Sequence, residues 1–260
     1  MLTSTSQMKL IIKYFLLVFL ISIPFWLFGG KRLPVAVNLP ASSLMFICPL
    51  MAASILSYRD SGIDGVKELL GKVLIHQNNK WFLPALLLLP AIYFLSYVVM
   101  RWTGLPLPDS QISFVSIPVF FILYFTSAFG EELGWMGYVV DPMQKQWSAL
   151  KTGVILGGVW AIWHIVPHLQ QSLSANWILW QSIHSVALRI LIVWFYNNTG
   201  RNLLTTILVH TMDNVSWSLF PNYGSYYDPF ITGTITCLMA LLVIFLWGSD
   251  TLAQYRYSQE

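Results

Sequence analysis

A chain of 260 residues that is 56% apolar and 10% charged, with a formal net charge of +3, is not a soluble domain, which carries about 25% charged side chains. Aromatics at 15%, 12 of them Trp, fit a surface facing lipid, with Trp and Tyr at its interfaces. Disordered chains, secreted disulfide scaffolds and nucleic-acid binders are excluded: the basic residues are scattered, and Cys48 and Cys237 both lie within apolar runs.

Runs near the roughly 20 apolar residues that cross a bilayer occur at 10–29, 39–57, 81–100, 114–140, 152–171, 177–196, 202–220 and 229–248. They predict an all-α, polytopic membrane bundle of about eight transmembrane helices, the fourth and seventh being the least hydrophobic. The first run follows Lys9 and Lys13 as a signal peptide would, but Phe28-Gly29-Gly30 leads into Lys31-Arg32 without a small-x-small cleavage site, so a retained span is expected. Between the second and third runs, Tyr58 to Lys80 places Val66, Leu69, Leu70, Val73 and Leu74 at helical spacing among charges. That pattern predicts an amphipathic helix on the cytoplasmic membrane surface, with His76 in a loop.

Basic residues orient the spans. With the first segment inside, ten (Lys9, Lys13, Arg59, Lys67, Lys72, Lys80, Lys145, Lys151, Arg201, Arg256) fall inside and three (Lys31, Arg32, Arg101) outside. The excess of Lys and Arg in cytoplasmic loops then puts both ends of the chain in the cytoplasm. The expected organisation is N-terminal spans over 1–110, a core over 111–222, and a last span with a cytoplasmic tail over 223–260. Short loops and the lack of retention signals suit a multi-pass protein of a prokaryotic cytoplasmic membrane.

Ionisable side chains inside spans cost at least about 2.5 kcal/mol each for the charged types, so each is a functional candidate. The fourth run carries Glu131 and Glu132, the fifth His164 and His168, the sixth His184 and Arg189, and the seventh His210, Asp213 and Asn214. Measured from Asp141, Lys151 and Arg201 as cytoplasmic edges, Glu131, His164, His210 and Asn214 lie at 141 − 131, 164 − 151, 210 − 201 and 214 − 201 residues. At 1.5 Å per residue all four sit roughly 13–20 Å deep, as a shared site requires. His210 and Asn214, spaced i,i+4, project from one helical face. Glu132 is turned about 100° from Glu131, free to pair laterally. Asp213 is expected to point away from the His210/Asn214 face, and His168, beside Pro167, to lie at the interface. Arg189 is expected to snorkel towards the cytoplasm, and Trp135, Trp160 and Trp163 to pack.

Three segments carry a resemblance: Glu131-Glu132-Leu133-Gly134-Trp135, Trp160-Ala161-Ile162-Trp163-His164, and Tyr196-Asn197-Asn198-Thr199-Gly200 leading to His210-Thr211-Met212-Asp213-Asn214. In order, on three spans and at one depth, they resemble the EExxxR, FxxxH and HxxxN/D motifs of the CPBP family. These intramembrane proteases include the CAAX prenyl endopeptidases and the bacteriocin-processing or self-immunity proteins grouped as Abi proteins. Trp160 stands for the aromatic Phe, and Met136 stands where the family has Arg. That departure removes a cation, which Arg189 on the neighbouring span is a candidate to supply.

The resemblance implies an endopeptidase acting on a membrane-delivered protein or peptide, lipidated or carrying a leader, within the lipid bilayer and without nucleic acid. Hydrolysis needs a base for water and donors for the oxyanion. Glu131 would be the base, His164 would hold the same water, and His210 and Asn214 would supply the donors. Glu132 and Trp160 would orient the site or bind substrate. No cofactor is expected; if zinc is bound, Glu131, His164 and His210 are its ligands, although no HExxH signal is present. The alternatives are a non-catalytic interaction or immunity protein on the same fold, and a proton-coupled transporter, for which no repeat is visible.

Overall fold

The computed structural model describes residues 4–31, 39–74, 80–108 and 115–256; His76, expected in a loop, lies outside them. The described residues form nine α-helices: α1 (Ser4–Phe28), α2 (Cys48–Gly71), α3 (Phe82–Trp102), α4 (Ser116–Gly134), α5 (Val140–Gln144), α6 (Ala149–Gln170), α7 (Ala175–Asn198), α8 (Leu203–Ser218) and α9 (Pro229–Trp247). A 3₁₀ segment, Ala41–Ile47, leads into α2, and a π-helical turn, Trp135–Val139, joins α4 to α5.

Seven helices among the described residues are long and apolar enough to cross a membrane, which makes this a polytopic helical bundle. The predicted eighth span, 202–220, is shorter than those seven, yet it carries the chain from the end where α7 finishes to the end where α9 starts. It forms α8, whose 16 residues reach only about 24 Å at 1.5 Å per residue. Asn202 starts it by accepting the Thr205 N–H, and it ends at Ser218. The amphipathic segment follows a break in α2: the backbone of Ser61 and Gly62 is non-helical and divides the second span from a shorter helix that ends at Gly71. Beyond that break Leu69 is buried while Leu70 and Leu74 are exposed.

Local chemistry sets the boundaries of the site helices. Ser148, Ser174 and Asp228 cap α6, α7 and α9 by accepting first-turn N–H groups, each such cap being worth about 1 kcal/mol. Gly200 and Arg201 both hold positive φ and reverse the chain between α7 and α8. Asn197 and Asn198 donate to Thr251 O and Leu252 O at 2.7 Å, tying that turn to the segment after α9. The asparagines of the third motif therefore build the turn.

Hydrogen bonds also define the two ends of the bundle. At one, Ser4 Oγ donates to Gln146 Oε1 at 2.6 Å, and Ala149 N donates to Asp250 O at 2.7 Å. At the other, Gln170 Nε2 donates to Trp26 O at 2.7 Å, and Ser42 N donates to Gly29 O at 3.1 Å. The starts of α1, α6 and α8 thus share an end with the finishes of α5, α7 and α9.

Candidate active site

α4 delivers both glutamates one residue pair ahead of the π-helical turn. Such turns insert an extra residue into a helix and recur at functional sites. Here the turn carries Met136, fully buried, and frees Gly137 O, which accepts from Lys72 Nζ at 2.7 Å. Gly134 allows close approach at this point, since a Cβ there would lie 2.5 Å from the Pro49 backbone.

The two carboxylates have different surroundings. Glu131 lines a cavity of about 540 Å³ together with Trp160, His164, His210 and Asn214. Its Oε2 accepts from Trp160 Nε1 at 2.7 Å. Glu132, fully buried, is not among the cavity-lining residues. It accepts from Arg189 Nη1 at 2.7 Å and from His210 Nδ1 at 2.8 Å. Buried charges persist only when paired, and Glu132 is held by two donors.

The hydrogen bonds assign the ring nitrogens. His164 Nδ1 meets Trp160 O at 2.9 Å; a carbonyl only accepts, so Nδ1 carries the proton and Nε2 is the acceptor of the neutral ring. His210 Nδ1 likewise donates to Glu132, leaving Nε2 as its unused nitrogen. The Trp160 ring joins the two halves of the site: its N–H holds Glu131, its face receives the Arg189 guanidinium at 4.3 Å, and the His210 ring stands edge-on at 5.2 Å.

Arg189 does not snorkel. It is fully buried, and it gives Glu132 a cation although position 136 is Met. Gly153 and Gly157 bring it there, since a Cβ on Gly157 would meet Val186 Cα at 2.8 Å and Arg189 Cβ at 3.1 Å. Small residues spaced i,i+4 let membrane helices approach this closely. That G-xxx-G spacing is the local sequence signal for close α6–α7 contact.

A second polar node was not foreseen. His184 Nε2 donates to Asp213 Oδ1 at 3.0 Å, and Tyr93 Oη donates to the same oxygen at 3.1 Å. His184 Nδ1 meets Thr236 Oγ1 at 3.1 Å. That hydroxyl donates to Thr232 O, so it accepts from His184. Asp213 and His184 both line the cavity, as does His168. His168 stacks on His164 at 6.0 Å, two residues before the end of α6. Of the three tryptophans expected to pack, Trp160 and Trp163 donate hydrogen bonds, the latter to Ser22 Oγ at 2.7 Å.

Zinc was the alternative use of Glu131, His164 and His210. Among the described residues no three His, Cys, Asp or Glu side chains converge as a metal-holding group.

Fold and site together define a polytopic helical membrane protein whose buried motifs resemble those of intramembrane proteases. Residues 113–216, which hold every motif above, match the family model described as type II CAAX prenyl endopeptidase Rce1-like. CAAX prenyl protease 2 of Methanococcus maripaludis is 27% identical in an alignment covering 79% of this chain and 83% of that protein. Comparison over whole segments thus shows the resemblance to CAAX prenyl endopeptidases that the three motifs carry, and it supports a membrane protease.

Proposed function

We propose that this protein is an intramembrane endopeptidase that hydrolyses a peptide bond of a membrane-associated or lipidated protein by glutamate-activated water. The observation that carries the reading is the unequal treatment of the two glutamates. Glu131 is presented to the cavity beside His164, His210 and Asn214, while Glu132 is locked behind it by Arg189. One carboxylate is free to exchange a proton and the other is committed to structure.

The reaction follows from those groups. Glu131 removes one proton from water while His164 Nε2 accepts a hydrogen bond from the other water hydrogen, and the water oxygen attacks the carbonyl carbon. Negative charge develops on the carbonyl oxygen and meets Asn214 Nδ2 and His210 Nε2. His210 donates from both nitrogens as an imidazolium. With Arg189 it makes two cations against two carboxylates, so the buried set is formally neutral. The proton on Glu131 then passes to the leaving nitrogen, the C–N bond breaks, and a carboxylic acid and an amine result.

The test compares protein termini in membranes of cells expressing the wild type or Glu131→Gln at equal levels. Wild-type-only termini are expected, with their formation falling by at least about 10²-fold in the variant, as loss of a general base dictates. Identical profiles from two folded proteins would replace this reading with the non-catalytic one.

A further inference from the structure

We infer that Asp213 is a substrate-binding residue, whose Oδ2 accepts a main-chain N–H of an extended peptide one or two residues from the bond that is cut. The inference deepens the protease reading and rests on it.

The carboxylate is fixed through one of its oxygens. Tyr93 Oη and His184 Nε2 both donate to Oδ1, at 3.1 and 3.0 Å, and both donors are buried. His184 donates from its other nitrogen to Thr236 Oγ1, so its ring carries two protons and forms an ion pair with Asp213. Rotating the carboxylate would leave a buried donor unpaired, which is costly. The group is therefore held in place before any substrate arrives.

Oδ2 is left over. Among the described residues it meets no donor, and it is not one of the polar atoms sealed off without a partner. Asp213 is 6% exposed and lines the cavity, so its open oxygen faces the same space as Glu131. Among the described residues of the cavity wall, Glu131 and Asp213 are the two acids, and there is no Lys or Arg.

Charge and chain chemistry say what this oxygen takes. His184 already neutralises Asp213, so a Lys or Arg side chain at Oδ2 would bury a net positive charge, which is expensive. A neutral donor adds no charge. An extended peptide brings one N–H per residue, and much of the wall it would lie against is apolar, as at Val119, Ile122, Leu123 and Leu188. A buried N–H without an acceptor opposes binding, and Asp213 supplies the acceptor.

The register follows from α8. Asp213 is 213 − 210 residues beyond His210, and side chains three apart on a helix have Cβ atoms about 5–6 Å apart. An extended chain advances about 3.3 Å per residue. With the scissile carbonyl at His210 and Asn214, the N–H at Oδ2 therefore belongs to a residue one or two positions away.

The test uses a peptide spanning a Glu131-dependent terminus from the membrane comparison, with single amide-to-ester replacements on either side of the scissile bond, cleaved by the purified full-length protein in detergent. Each ester removes one N–H and keeps the course of the chain. In the wild type, one ester within two residues of the cut is expected to lower kcat/KM about 10-fold or more, as loss of a hydrogen bond to a charged group dictates. In Asp213→Asn, the donors Tyr93 and His184 keep the amide oxygen at the Oδ1 position and turn the amide nitrogen to the cavity, so the acceptor becomes a donor. That variant is expected to cleave the all-amide peptide more slowly than the wild type, and the sensitive ester no more slowly than the all-amide peptide. A structural role would slow every peptide alike. An ester penalty that persists in Asp213→Asn therefore overturns the inference, as does a wild type indifferent to every ester. If Asp213→Asn does not fold, Asp213→Ser takes its place, since the penalty must vanish whenever Oδ2 is gone. Absence of all Glu131-dependent termini would remove the protease reading and the subsite with it, whereas termini without an ester-sensitive position would remove the subsite alone.

Discussion

Glu131 and Glu132 are neighbours in sequence with opposite fates, because a helix turns about 100° per residue and only one of two adjacent side chains can face a given cavity. The turn was legible in the sequence, and so was the freedom of Glu132 to pair laterally. Its partners were less so: Arg189 was a candidate by elimination, and only the fold places its guanidinium 2.7 Å from the carboxylate. Removing one member of a buried pair leaves the other charge stranded, at about 3–5 kcal/mol. Arg189→Met is therefore expected to lower the unfolding temperature in detergent substantially. The double variant Arg189→Met/Glu132→Gln should regain much of the loss. Equal melting of Arg189→Met and wild type would mean that the pair does not hold the fold.

At the scale of single elements, the site depends on how closely α6 and α7 pack. Gly157 faces α7 backbone at 2.8 Å from an added Cβ, whereas Gly158 faces nothing within 4 Å. Gly157→Ala must push the helices apart, at about 1–3 kcal/mol for overpacking, and should draw Arg189 away from Glu132. Gly158→Ala should be neutral or gain up to about 1 kcal/mol from helix propensity. Thermal unfolding of the two variants checks the contrast, and similar values would mean that the approach of α6 to α7 is not limiting. The length of α8 belongs to this scale too. The apolar run at 202–220 crosses the bundle in only 16 helical residues, and polar His210 and Asp213 are tolerated in it because neighbouring helices supply partners.

For the whole molecule, the node around Asp213 ties four helices at once: Tyr93 from α3, His184 from α7, Asp213 from α8 and Thr236 from α9. It lies one turn from His210 on the helix that also carries Asn214, so it sets the rotation of that helix against the glutamates. Tyr93→Phe removes one donor and is expected to cost about 1 kcal/mol. Asp213→Ala should cost more, since it strands a buried histidine. A double-mutant cycle over His184 and Asp213 should return a coupling of about 0.5–3 kcal/mol; a value of zero would show that the node is not cooperative. Glu131-dependent cleavage should fall together with stability in Asp213→Ala.

The amino-acid sequence by itself determined the membrane-spanning all-α class, the approximate number of spans and the set of side chains at one depth. Each follows from local properties: apolar length against bilayer thickness, rise per residue, and i,i+4 spacing. Tertiary structure decided what no local property encodes. The Arg189–Glu132–His210 chain joins residues 57 and 78 positions apart, and the His184–Asp213 pair joins residues 29 positions apart. The π-helical turn after the glutamates has no periodicity of its own to read. The cavity exists only where α4, α6, α7 and α8 leave space between them, and empty space is a property of packing.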